Sequence, residues 1–310
     1  MIKKIIILLF VLSFIHISYG KLNYLSKGKW RINTDFNYNT SSSIFNLNSD
    51  EKIFGRDTFN IIIPDSIPYR YILKHSFELK EYIFSPKLEY AISNNFLVFL
   101  EIPLVWQSMS NVYENDTNKY SPTFGRQITR AEYSTFFPDY YGLGGSLEFS
   151  KGIVSSSLLF GMKVPETFKN GYQQDTTNNF YIYNAYKFYL GLISGMNFEK
   201  GFLELETSYL YRSGDFGDLF HIKFEGGFTS VPNTALKGIV IYNINLSGFD
   251  EAQPVNPRFT TLREDVLDVG AAFEANVSDN VNIEFSYLIT LGLTNTLKYG
   301  NLILKTSIVL

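Results

Sequence analysis

The chain of 310 residues contains no cysteine. That excludes disulfides, thiolate metal centres and a lipid anchor on a cysteine. Histidine is also scarce, at 3 residues, and no HExxH pattern or histidine cluster is present; no metal site and no cofactor is expected. Residues 215–218 and 115–118 offer oxygen ligands but lack the spacing of a calcium loop. Charge of one sign is lacking too. With 27 Lys and Arg against 30 Asp and Glu, the balance gives no support to nucleic-acid binding. Finally, beyond the first twenty residues no stretch approaches the ~18 apolar residues of a membrane-spanning helix. A membrane can then be crossed only by a closed barrel, in which every backbone N–H and C=O is paired within the protein.

The N-terminus reads as an export signal. Lys3 and Lys4 are followed by an apolar run over residues 5–17, and Ser18 and Gly20 suit cleavage after Gly20. The expected organisation is a Sec signal over 1–20 and one outer-membrane barrel domain over 21–310.

What the chain does have is aromatic residues and alternation. Its 28 Phe, 22 Tyr and 2 Trp suit the aromatic girdles of membrane barrels. In Val281, Ile283, Phe285, Tyr287, Ile289, Leu291 and Leu293 the odd positions are large and apolar. Between them stand Asn282, Glu284, Ser286, Thr290 and Gly292, with Leu288 the exception. Successive side chains of a strand point to opposite faces, so this segment has one lipid-compatible and one wet face. The same pattern recurs along the chain and predicts an all-β fold, a transmembrane antiparallel up-and-down barrel of about twelve strands. The expected strands are 28–40, 78–92, 95–107, 139–150, 153–164, 181–199, 201–212, 218–229, 235–247, 265–277, 280–293 and 299–310. Pro86 and Pro103 read as interruptions of the second and third.

Connections give a separate test. Short turns at 93–95, 151–152, 200–201, 231–233 and 278–280 alternate with mostly longer segments at 41–77, 108–138, 165–180, 213–217, 248–264 and 294–298. Short periplasmic turns and longer external loops are the signature of bacterial barrels, which puts both termini in the periplasm. The loop over 108–138 is rich in aromatics, with Tyr113, Tyr120, Phe124, Tyr133, Phe136 and Phe137 beside Arg126 and Arg130, and 41–77 carries Ile61, Ile62, Ile63 and Pro64. Both are candidates for a lid or constriction.

The polar faces name the candidate lumen lining: Glu89, Glu101, Glu148, Lys163, Lys187, Glu204, Glu206, Arg212, Lys223, Glu225, Lys237, Asp268, Glu274, Glu284 and Lys305, with Arg31, Asp35 and Lys87. Their slight acidic excess predicts a polar, weakly cation-preferring conduit, or else an interior filled by ion pairs. Catalysis finds no support. A barrel hydrolase needs a nucleophile and base in reach of one another; two residues after His221 stands Lys223, and the neighbours His75 and Ser76 point to opposite faces.

One stretch carries a family resemblance. Tyr90-Ala91-Ile92-Ser93-Asn94-Asn95-Phe96 forms a hairpin, Glu101-Ile102-Pro103 ends an apolar strand, Tyr141-Gly142-Leu143-Gly144-Gly145 opens the next, and Gly161-Met162-Lys163-Val164-Pro165 closes the set. These resemble the outer-membrane proteins grouped under the meta-pathway of phenol degradation, over about a quarter of the chain. Gly145 stands where that pattern has Asp, and Glu166-Thr167 departs from its close. The resemblance implies a channel-like outer-membrane barrel for small, often hydrophobic molecules and assigns no binding residues. The expected function is therefore a porin-like outer-membrane channel for small solutes, in contact with outer-membrane lipid. The alternatives are a non-conducting barrel that binds a partner through its loops and, behind it, a barrel hydrolase. Neither the substrate nor the oligomeric state is written in the sequence.

Overall fold

Alternation in the sequence becomes inside and outside in the structure, a computed structural model that describes residues 25–41, 43–45, 51–53, 57–61, 69–116, 127–151, 154–165, 171–174, 181–184, 186–213, 217–229, 233–246, 265–291 and 300–310. The expected export signal over 1–20 lies outside these residues, as do parts of each long connection.

The strands are β1 (Trp30–Ser41), β2 (Ser43–Phe45), β3 (Glu51–Ile53), β4 (Asp57–Ile61), β5 (Tyr69–Ala91), β6 (Phe96–Glu101), β7 (Leu104–Asp116), β8 (Gln127–Pro138) and β9 (Tyr140–Ser150). They continue as β10 (Val154–Pro165), β11 (Gly171–Gln174), β12 (Tyr181–Asn184), β13 (Lys187–Phe198), β14 (Gly201–Arg212), β15 (Leu219–Phe228), β16 (Thr234–Asn245), β17 (Val266–Ser278), β18 (Val281–Thr290) and β19 (Gly300–Val309). All pairings are antiparallel, and from β13 to β19 each strand pairs with the next in sequence. β10 pairs with β9 and β13, β9 also with β6, β5 with β6 and β7, and β7 with β8. β2–β3 and β11–β12 form separate ribbons, and β1 closes the ring by pairing with both β19 and β5. Because β6 with β7, and β8 with β9, are halves of single staves, the result is a closed barrel of 12 strands. A strand of about a dozen residues rises ~3.3 Å per residue. Tilted by ~40°, it spans the ~25 Å apolar band of an outer-membrane barrel.

Outward positions are apolar and exposed, among them Ile32, Phe36, Phe84, Leu88, Leu190, Leu236, Phe273 and Phe285. That arrangement inverts a soluble core and is stable only against lipid. Aromatic pairs mark both rims: Trp30 with Tyr90 at 4.5 Å near the short turns, and Tyr82 with Trp106 at 5.9 Å and Phe188 with Tyr211 at 6.2 Å towards the long connections.

Four expectations need correcting. The second strand begins at Tyr69 and not at 78, and Pro86 does not interrupt it: β5 is one continuous strand of 23 residues. The segment 108–138 is not a loop throughout, because β7 and β8 pair from Leu104↔Pro138 to Asn115↔Gln127, and the hairpin, accompanied by β5 as far as Ile72↔Asp116, runs well past the end of β10. Likewise β4 and the start of β5 lie within 41–77, and the strand expected over 181–199 is two elements, β12 and β13. The physical reason is one of polarity. Above the bilayer both faces of a strand meet water, so the apolar alternation that reveals a strand inside the membrane is missing.

The prolines explain a break rather than a stop. The β5–β6 ladder ends at Lys87↔Glu101 and the β5–β7 ladder at Phe84↔Leu104. Pro86 and Pro103 therefore both sit where the ladder is interrupted and no N–H is required of them. The carbonyls stay occupied: Ile102 N donates to Pro86 O at 3.2 Å and Asp139 N to Pro103 O at 2.9 Å.

Candidate functional site: a two-sided cavity inside the barrel

The inward faces enclose a cavity of about 830 Å³. Of the expected lumen residues, Glu89, Glu204, Lys223, Glu225, Lys237, Glu274, Glu284 and Lys305 line it, together with Arg31 and Lys87. They occupy the half of the barrel towards the short turns.

Most of these charges form one strip along the wall from β15 to β19. Lys237, on β16, is buried and reaches carboxylates on three other strands: Glu225 on β15 at 2.9 Å, Glu274 on β17, and Glu284 on β18 at 2.6 Å. Lys223 donates to the other oxygen of Glu225 at 2.7 Å, and Lys305 to that of Glu284 at 2.9 Å. Across the seam of the barrel the strip resumes, with Glu89 held by Arg31 at 2.5 Å and by Lys87 at 2.8 Å. Charges taken out of bulk water are tolerable here because both oxygens of Glu89, Glu225 and Glu284 have cationic donors, and Glu274 has Lys237 on one oxygen and the Asn282 amide on the other. Glu204 is the exception. It stands directly opposite Glu225 in the ladder and has no hydrogen bond or ion pair among the described residues.

The remaining predicted residues fall elsewhere. Tyr140, Glu101 and Lys163 form a cluster at the start of β9: the Tyr140 hydroxyl donates to Glu101 at 2.9 Å and accepts from Lys163 Nζ at 2.7 Å, with Lys163 lying over the ring at 4.1 Å. Lys187 is the ladder partner of Lys163, and Glu206 that of Lys223. Glu148 takes an ion pair from Lys151 at 2.9 Å. Arg212 is tied down through its Nε, which donates to Gly217 O at 2.6 Å, and Asp268 accepts from the Thr290 hydroxyl at 2.6 Å. His221 Nδ1 and Asn243 Oδ1 lie 2.7 Å apart, so one ring nitrogen is taken up by an amide, and Ser208 is the ladder partner of His221 on β14. No group of His, Cys, Asp and Glu suited to hold a metal ion exists among the described residues.

The sequence reading missed the other half of the cavity. Leu97, Phe99, Leu159, Ile193 and Phe202 line it from β6, β10, β13 and β14. A further inward cluster joins Ile239, Ala272 and Leu288, with Ile241 and Ile303 against it. Where both faces of a strand are apolar, alternation disappears. A usable signal was present in the glycines. A Cβ built on Gly144 would lie 2.6 Å from the Phe99 ring and 2.6 Å from the Tyr189 hydroxyl, so the ends of these aromatics reach in against bare backbone. Leu288, the lone apolar residue on an otherwise wet face, was the second clue.

No protein-family model and no curated protein matches the chain. Solved structures do. An outer-membrane channel from Pseudomonas putida F1 superposes with a TM-score of 0.55 at 12% identity, over 95% of this chain and 100% of that one. The translocator domain of the autotransporter NalP from Neisseria meningitidis gives a TM-score of 0.42 at 9% identity, over 93% and 90% of the two chains. A FadL homologue from Pseudomonas aeruginosa gives 0.39 at 9%, over 91% and 90%. The likeness to the first is one of fold, a closed antiparallel β-barrel.

Proposed function

We propose that this chain is a porin-like channel of the outer membrane that passes small solutes and carries out no chemistry on them. The observation that carries this reading is the cavity of about 830 Å³ enclosed by a barrel wall whose exterior suits only lipid. A filled structural barrel has its inward side chains interlocked across the axis. Here the main ion pairs join neighbouring or next-neighbouring strands and lie along the wall, leaving the space beside them free. The channel-barrel fold shared with the Pseudomonas putida protein supports the same reading. On it, residues 1–20 are the Sec signal, removed after Gly20, and the short turns face the periplasm.

The test is a planar-bilayer recording of the refolded protein. Stepwise conductance that changes in amplitude when the cavity-lining Glu204 is replaced by Gln is expected. No conductance from protein that shows the heat-modifiable migration of a folded barrel would sink the channel. Mass measurement of the mature protein checks the cleavage after Gly20.

A further inference from the structure

We propose that the cavity selects small amphipathic organic anions, an aliphatic or aromatic body ending in a carboxylate, over cations of the same shape. This rests on the channel reading and names the solute class of the same cavity.

Two observations carry it. The first is that the cavity is divided around its circumference. The arc from β6 to β14 contributes Leu97, Phe99, Leu159, Ile193 and Phe202, with Ser146, Asn197 and Glu204 as its polar members, while the arc from β15 round to β5 contributes the ion-paired strip. A solute in this space meets a mainly apolar surface on one side and the ion-paired charges on the other. A purely apolar body would leave the charged arc without a partner, and a small inorganic ion would leave the apolar arc dry.

The second is which ends of the ion pairs face the space. Apart from Glu274, at 21%, the ion-paired carboxylates are shielded, with side-chain exposures of 4% for Glu89, 8% for Glu225 and 9% for Glu284. Their outer partners are open, at 32% for Lys87, 21% for Lys223 and 34% for Lys305. Each of those three carboxylates already accepts from two cationic side chains. Each outer ammonium keeps N–H donors to spare, because an ammonium has three. The solute therefore meets donors. A count of charges gives the opposite sign, since acids outnumber bases among the expected lumen residues; burial, not number, decides which charge the solute reaches. Glu204 opposes this field. Unpaired and beside Glu225, it lowers the preference for anions and leaves it open to adjustment by one residue. Glu274, on the far side of Lys237, is occupied by that lysine and by the Asn282 amide at 2.6 Å.

The experiment uses the full refolded barrel in a planar bilayer carrying a potassium chloride current, with sodium hexanoate, hexylammonium chloride and 1-hexanol as probes. Hexanoate is expected to block at a concentration about tenfold below the other two. The Lys87→Gln and Lys223→Gln variants each weaken hexanoate block several-fold, and Glu204→Gln strengthens it. Equal block by the three probes, or stronger block by hexylammonium, overturns the proposal while leaving the channel in place. Equilibrium binding of labelled hexanoate to the micelle-bound protein separates the two failures. Selective binding without conductance removes the channel and keeps the anion site, and no selectivity in either assay removes the site. Heat-modifiable migration of each variant shows that its barrel has formed.

Discussion

The two arcs of this barrel solve one problem in opposite ways. Both must fill inward positions of a closed sheet without leaving polar groups stranded. From β15 to β19 the wall uses charge, and Lys237 ties its own strand to both neighbours, β15 and β17, and to β18 beyond. From β6 to β13 it uses bare backbone under aromatics, with Gly144 and Gly161 supporting Phe99 and Tyr189. The first solution depends on partners, so it fails when one member is removed. The second depends on space, so it fails when an atom is added. That difference predicts a graded set of effects, readable from denaturant unfolding in lipid vesicles followed by the fluorescence of Trp30 and Trp106.

The largest belongs to Lys237→Met. Three carboxylates lose their common cation, and breaking a buried ion pair on one side costs about 3–5 kcal/mol. The double variant Lys237→Met with Glu284→Gln should recover part of that loss. A double variant no more stable than the single one would show that the strip does not act as a unit. Next comes Gly161→Val. Its new Cβ would stand 2.6 Å from Leu143 O and 2.5 Å from the Tyr189 ring, an overpacking worth about 2–3 kcal/mol. Unchanged unfolding here would mean that the glycine arc is loosely packed. Third is Tyr140→Phe, which deprives both Glu101 and Lys163 of a hydrogen-bond partner and should cost about 1–2 kcal/mol. The smallest is Lys305→Gln, below about 1 kcal/mol, because the lysine is partly solvated and Glu284 keeps Lys237. Raising the salt concentration should narrow the gap between this variant and the parent protein, and should leave the Gly161→Val gap unchanged.

The same contrast explains what could be read from the sequence. The ion-paired arc was legible in outline, because Glu225, Lys237, Glu284 and Lys305 alternate with large apolar residues inside lipid-spanning strands. Its pairing was not, since Lys237 meets residues far away in sequence. The aromatic arc stayed hidden, because Phe99 inward and Leu100 outward are both apolar and no period survives between them. At the interrupted ladder, Pro86 and Pro103 were visible as anomalies. Only the structure shows that two residues without N–H groups sit at one break, where the ladder asks no donor of either.

The extended β7–β8 hairpin has a consequence for where the hydrocarbon must stop. A closed cylinder has no edge, which is why it can live in lipid at all. β10 stops pairing at Pro165↔Tyr140, and beyond that point β8 is bonded among the described residues only to β7. Backbone groups on such an open side need water, so the bilayer surface on this flank can rise no higher than Tyr140. The outward Tyr141 and Trp106, with its indole N–H on Ser134 at 2.8 Å, stand near that height. Hydrogen-bond bookkeeping alone thus draws a waterline on the protein, independently of any hydropathy.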